Sequence, residues 1–413
     1  VCRNESIETI NNSSNADRYE WDFCFADLPG NVESQEVVTL TSGDNYYGMK
    51  MIVDGGVWYG FLLGRNTNNL IRLEFGNDPL SKPTEVDLGN VGGVLSSPTA
   101  IELVKEAGTW YGLVSNVGNR LVRLTFGDGL SVSPTSVENM GNLGSLNVPV
   151  DLSLVSSDDH LYAMVTNFSG NSLTVVDFGS SITTSIGDLV VTTLSVSATA
   201  TGLTGISLLE ESGVWYGLLG SAGQNKVYQM KFESGLTSVP TLTELATLTQ
   251  PTRISLIKNG NSYYGIAESG LGKVMRYSFG TSISDTPSIQ EVLSLSPLQS
   301  LELIKPDGDW FGYAVSSTTG LIYRIEFTDT CTSQSMTFSR EENPIVSYDL
   351  AGTYVIELTA IHENGNVDVS AQTVTVINAQ APDIDFTTIN QCIASQNVFA
   401  ASSTVSDLTY SWD

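Results

Sequence analysis

The sequence predicts an all-β protein: a six-bladed β-propeller inserted into a β-sandwich, followed by the start of a second sandwich. Three observations carry this reading. A phrase of four short strand-like segments recurs about every 50 residues, the period and strand count of a propeller blade. A fourth-strand segment is missing after the last phrase and present in surplus before the first. One small motif opens the chain, from Cys2 to Trp21-Asp22, and returns at its close, from Cys392 to Trp412-Asp413.

The clearest copy of the phrase runs through Pro98–Leu103, a polar turn, Trp110–Val114, an Asn/Gly loop, Leu121–Gly127, and a last strand ending at Met140-Gly141. Its middle returns at Trp58-Tyr59-Gly60, Leu161-Tyr162-Ala163, Trp215-Tyr216-Gly217, Tyr263-Tyr264-Gly265 and Trp310-Phe311-Gly312. An aromatic recurring at one place in every blade is expected to pack blade against blade. Fourth strands fit at Glu36–Leu40, Glu85–Leu88, Ser136–Met140, Leu189–Leu194, Leu242–Leu245 and Gln290–Leu293, and none follows Phe327. Glu36–Leu40 is therefore expected to pair with the last blade, residues 297–328, and close the ring, because a closed sheet arrangement leaves no open joint. The surplus strand, Tyr19–Phe23, then belongs to the sandwich.

The other part of that sandwich lies at residues 337–377. Asn343-Pro344-Ile345-Val346-Ser347-Tyr348 precedes Ala351–Ala360, and Thr373–Val376 follows an Asn-Gly turn at Asn364-Gly365. Apolar and polar residues alternate, as in a sheet with one wet face. Together with Tyr19–Phe23 these stretches resemble the PKD domain, an Ig-like sandwich whose signatures are YxWDFGDG, NPxxxY and AGTYxVxLTA. The chain departs from the pattern in two ways: Cys24 stands where WDFGDG has its first Gly, and some 300 residues separate the WDF and NP strands. The expected divisions are 1–30 for the first part of the PKD-like sandwich, 31–330 for the propeller, 331–379 for the second part, and 380–413 for the start of the next PKD-like domain.

Acids number 45 and bases 18, a net charge of −27, which opposes nucleic acid and anionic membranes as partners. No apolar run is long enough to span a bilayer, so direct membrane insertion is not expected. The chain begins and ends within motifs and is expected to be part of something longer. Four cysteines, Cys2, Cys24, Cys331 and Cys392, form no CxxC pair, and the two histidines are far apart, so a zinc site is not expected. Cys24 and Cys331 flank the insertion and are expected to pair; Cys2 with Cys24 is the competing pairing.

Arg72, Arg123, Arg276 and Arg324 share one blade position. They read either as a ring of cations around a channel or as partners of acids such as Glu74, Glu102, Glu302 and Glu326. The loops between second and third strands are rich in Asn and Gly, which are turn formers. A ring of amides also suits sugar hydroxyls, and the candidate ligand-binding residues are Asn66, Asn68, Asn116, Asn119, Asn167, Asn171, Gln224 and Asn225. No Asp-box turn, GxSxG, HExxH or phosphate loop occurs. No catalytic residue and no enzyme are therefore expected, an acid pair in a deep cleft being the contrary sign. No cofactor is expected either, with calcium a weak candidate at Asp349, Asp383 and Asp385.

The whole chain resembles the large exported surface proteins of gliding Bacteroidota, which leave the cell by type IX secretion. That resemblance implies an extracellular, cell-surface adhesin segment in gliding motility, with further PKD-like domains of the same polypeptide as stalk and the propeller presented to a surface glycan or protein ligand. The alternatives are a carbohydrate-targeting module of a polysaccharide-degrading enzyme and a structural filament spacer.

Overall fold

The computed structural model describes residues 1–14, 16–196, 199–328, 331–361, 367–378, 384–389 and 398–403. Six four-stranded antiparallel sheets arise from the repeated phrase. Blade I consists of Tyr46–Asp54, Val57–Gly64, Asn69–Gly76 and Thr84–Asp87; blade II of Pro98–Glu106, Thr109–Asn116, Arg120–Gly127 and Ser136–Gly141. Blade III is Pro149–Ser157, His160–Asn167, Ser172–Asp177 and Val190–Ser195; blade IV is Leu203–Glu211, Val214–Ser221, Lys226–Phe232 and Thr241–Thr247. Blade V is Pro251–Asn259, Ser262–Ser269, Lys273–Gly280 and Ser288–Ser294. Blade VI takes three consecutive strands, Leu298–Ile304, Phe311–Ser316 and Leu321–Thr328, and a fourth from far upstream, Asn31–Thr39.

The first strands of the six blades are neighbours in the cyclic order I to VI and back to I, so the sheets close into a β-propeller with those strands innermost. Second and third strands are buried on both faces, as Leu121, Val122, Leu124 and Phe126 are, while fourth strands such as Thr241–Thr247 alternate with exposed residues. The recurring aromatics sit between blades: Tyr59 and Trp110 share one core with Val114 and Phe126, and Tyr216 and Tyr263 share another with Tyr277. Closure runs along the whole of Asn31–Thr39, which pairs with blade VI from Asn31 opposite Thr328 to Thr39 opposite Leu321.

The seventh four-stranded sheet takes strands from either side of the propeller. Arg18–Asp22 pairs with Phe338–Ser339 on one side and Gly352–Ile361 on the other, and Val367–Val376 completes it. Ile7–Glu8 pairs with Ile345–Val346 across a core of Trp21, Phe23, Val346, Tyr348 and Ile356. Cys24 and Cys331, 307 residues apart, form a disulfide where the chain enters and leaves the propeller. A bridge closing so long a loop contributes about 2–5 kcal/mol by restricting the unfolded chain. Ile384–Ile389 and Val398–Ser403 form a separate antiparallel pair; Cys392, Asp383 and the turn at Asn364-Gly365 lie outside the described residues.

Two repeated devices tie several blades to the next. At one end of the barrel, Asn68, Asn119, Asn171 and Asn225 occupy the left-handed region, with φ of 57, 57, 47 and 55°. Their Oδ1 atoms accept the backbone N–H groups of Ser97, Val148, Gly202 and Gln250, just ahead of the next blade's first strand, at 2.6–2.9 Å. At the other end, the third-strand arginines reach carbonyls of the following blade. Arg72 donates to Leu130 O and Val132 O, Arg123 to Ile182 O and Thr184 O, and Arg276 to Leu28 O and Gly30 O. Replacing Asn119 by Ala removes an acceptor and leaves a non-glycine residue in left-handed backbone. We expect it to cost about 1–2 kcal/mol in urea denaturation, whereas Asn66→Ala, at an exposed position outside this series, should stay within about 0.5 kcal/mol of wild type.

Candidate functional site

The two ends of the propeller differ. The end carrying turns between first and second strands faces the seventh sheet: Lys305 Nζ lies 2.5 Å from Asp22 Oδ2, Asn259 donates to Asp27, and Trp310 N–H donates to Asp27 at 2.9 Å. The opposite end carries the Asn/Gly loops and opens onto the axis.

The inner strands set what lines that axis. Their third positions are Gly48, Ala100, Asp151, Gly205, Arg253 and Ser300; their fifth are Lys50, Glu102, Ser153, Ser207, Ser255 and Glu302. Residues of all six blades enclose an axial cavity of about 260 Å³. Within it Lys50 Nζ lies 3.1 Å from Glu102 and 2.9 Å from Glu302. Burial alone would pull Lys50 down, but the two carboxylates more than reverse this and hold it above the ordinary lysine range. Burial pushes Glu302 up to about 7 against the pull of Lys50. One ring higher, Arg253 pairs with Asp151 and donates to Thr99 O, while Asp151 also accepts the N–H groups of Leu152 and Ile206, each at 2.9 Å. Gly205 is required here, because a Cβ would come within 2.6 Å of Thr252 O.

Above Arg253 the axis widens into a mouth of about 460 Å³. Phe168, 40% exposed, and Tyr47 supply aromatic faces. Arg65 lies over the Tyr47 ring at 4.8 Å and donates to its hydroxyl at 2.8 Å. Gln250 and Gln299 approach each other beside Gly270. Thr204 lines the mouth at 6% exposure, and its hydroxyl has no hydrogen-bond partner. Its oxygen is sealed from solvent and turned toward Gly220.

The amides singled out from the sequence are largely engaged elsewhere. Asn116 and Asn167 are fully buried, accepting the N–H groups of Ser96 and Asn147, which leaves them no face toward a ligand. Asn68, Asn119, Asn171 and Asn225 hold the next blade, Gln224 accepts the Tyr228 hydroxyl, and Asn66 donates to Asp44. The arginines do not ring the channel. Arg72 and Arg324 pair with Glu74 and Glu326 on their own strands and Arg123 with Glu138, while Glu102 and Glu302 belong to Lys50. Sequence reasoning passed over Tyr47, Lys50, Asp151, Phe168, Thr204 and Arg253. Most of these were marked by polar residues on strands otherwise apolar enough to be innermost. Among the described residues no group of three or more His, Cys, Asp or Glu is arranged to hold a metal ion.

No protein family and no curated protein matches the chain. Solved structures do. A luciferin-regenerating enzyme aligns with TM-score 0.51 at 12% identity, over 72% of this chain and 95% of its own. A mutant of AofleA from Arthrobotrys oligospora gives 0.47 at 10%, over 91% and 98%. The catalytic domain of the Coprinopsis cinerea GH62 alpha-L-arabinofuranosidase gives 0.41 at 11%, over 73% and 99%. At these identities the likeness shows the fold: this chain is an all-β propeller.

Two expectations are corrected. A propeller enzyme, the luciferin-regenerating enzyme, stands where a non-enzymatic adhesin segment was expected. The expectation of no enzyme fails with it.

Glu268 is the penultimate residue of the second strand of blade V, where the other blades have Leu63, Ser115, Thr166, Gly220 and Val315. It is fully buried; its Oε1 accepts Thr252 Oγ1 at 2.9 Å, and its Oε2 has no partner. Burial raises its pKa to about 8. A folded value above the unfolded one for an acid means the folded state holds the extra proton, so stability falls as pH rises from about 4.5 towards 8. At pH 7 the cost is on the order of 3 kcal/mol. Glu268→Gln should raise the melting temperature at pH 7–8 and flatten this slope; an unchanged slope would remove Glu268 as its source.

Proposed function

We propose that the chain is a carbohydrate-active module that takes a saccharide at the propeller mouth facing away from the disulfide neck. The exposed Phe168 face in that mouth carries the reading, since it lies among groups that suit a sugar ring: the Gln250 and Gln299 amides and the Arg65 fork. The cavity is of a size for one or two rings. The seventh sheet is the PKD-like sandwich in this reading, with 1–30 and 331–379 its two parts, 31–330 the propeller and 380–413 the beginning of the next such domain. The disulfide supports an exported protein. Calorimetric titration of the full chain with a panel of plant, algal and bacterial oligosaccharides should give binding that Phe168→Ala weakens at least about tenfold. Absence of binding at millimolar concentrations across the panel would refute the proposal.

A second reading, hydrolysis, is favoured by the acid pair on Lys50. Burial brings Glu302 to about 7, where a carboxylic acid can give or take a proton near neutrality. In this reading Glu302 is the proton donor and Glu102 its charged companion. Release of reducing ends from a bound oligosaccharide should then fall by about 100-fold or more in Glu302→Gln, with binding at the mouth little changed. If the wild-type chain releases none from any oligosaccharide it binds, hydrolysis is excluded and binding alone stands.

A further inference from the structure

The sign of the charge at the mouth is the opposite of the sign of the molecule. The chain has 45 acids against 18 bases, yet the residues lining the mouth include two arginines and no carboxylate. Arg253, at the floor, is already neutralised by Asp151. Arg65 is not: among the described residues no carboxylate lies within ion-pair distance of it. Asp44, whose backbone carbonyl accepts the N–H of the next residue, Asn66, instead turns its carboxylate to the Asn66 amide at 3.1 Å. Arg65 is held in place by its stacking on Tyr47 and by one N–H donated to the Tyr47 hydroxyl. Its remaining donors are left for something else. A guanidinium held over an aromatic ring and tied to its hydroxyl presents a planar fork that matches an oxyanion in two-point contact. Long-range repulsion from the net negative surface is screened within about 8 Å at physiological ionic strength, so the local sign decides what the mouth accepts.

From this we infer that the saccharide bound at the mouth is anionic, bearing a carboxylate or a sulfate ester, and that Arg65 is the residue that recognises the charge. The inference rests on the saccharide reading above and names its ligand class. Phe168 meets an apolar ring face, Gln250 and Gln299 meet hydroxyls, and Arg65 meets the anion.

Matched pairs of oligosaccharides test this on the full chain. One pair is oligogalacturonate and its fully methyl-esterified form; the other is a sulfated galactan oligosaccharide and its desulfated form. Titration calorimetry should show the charged member of at least one pair binding about tenfold tighter or more, and which pair discriminates tells carboxylate from sulfate. Arg65→Gln should abolish that difference, bringing the charged member down to the affinity of the neutral one. Arg65→Lys should restore only part of it, because an ammonium supplies charge without the fork. Thermal melting of both variants confirms that they are folded. Equal binding of charged and neutral members in the wild-type chain, or discrimination that survives Arg65→Gln, overturns the anionic ligand and leaves the saccharide mouth standing. If no member of either pair and no oligosaccharide of the wider panel binds, both fall.

Discussion

The structure depends on one strand pairing, Asn31–Thr39 against Leu321–Thr328. Without it blade VI ends in an open edge, and an unpaired edge is both a loss of hydrogen bonds and an invitation to pair with another chain. The pairing also explains the neck. In the other blades the loop between third and fourth strands places an apolar residue, such as Leu130, Ile182 or Ile283, into the core between blades. In blade VI this loop is cut, and Leu28, fully buried, fills the slot from the upstream side. Arg276 reads Leu28 O and Gly30 O as Arg72 reads Leu130 O and Val132 O. The two ends of the cut loop run into the seventh sheet and are bridged by Cys24 and Cys331. The junction is thus one more copy of a contact that the propeller already repeats, and Lys305, facing Asp22 and Glu357, adds charge pairing across it.

Much of this was legible in the sequence because repetition amplifies weak signals. One apolar run does not distinguish strand from buried helix, but six runs in the same order around Trp-Tyr-Gly do. A missing fourth strand is visible only by counting, and the count placed Glu36–Leu40 in the last blade. The site was less legible for the same reason. The asparagines stood out because they recur, and they recur because each blade needs a left-handed turn residue that also holds its neighbour: Asn68, Asn119, Asn171 and Asn225 do both. What recurs in a closed ring is what builds the ring. The residues that differ, Lys50, Arg253, Asp151 and Glu268, occur once each, and a single residue carries no periodic signal. They become conspicuous only when the six inner strands are set side by side and charge is found where Gly, Ala and Ser are the rule.

The charges on the axis follow from the geometry of six. Inner strands of a small propeller leave a core too narrow for large apolar side chains from every blade and too wide for none. Gly48, Ala100 and Gly205 leave room on the upper ring, and the Asp151–Arg253 pair occupies it. On the lower ring three serines leave room for Lys50 between two glutamates. A buried pair is weak evidence for stability, since desolvation offsets its attraction. Three carboxylates and two cations gathered on one axis, with Glu268 beside them kept protonated by burial, therefore cost the fold more than an apolar filling would. A polar axis of this kind is retained where something other than stability selects it.

Strain points the same way. At the mouth end, Ser97, Val148 and Gln250 all hold φ near +50°, with Val148 the least tolerant of them because its side chain is β-branched. Each is held there by an asparagine of the preceding blade. Left-handed backbone at non-glycine residues costs about 1–2 kcal/mol, and it persists only where the surroundings over-determine it. Two of these residues, Val148 and Gln250, line the mouth itself. The ring of asparagines therefore acts on the mouth at one remove. It fixes the strained segments at the rim, and so sets the shape of the opening that Phe168 and Arg65 line.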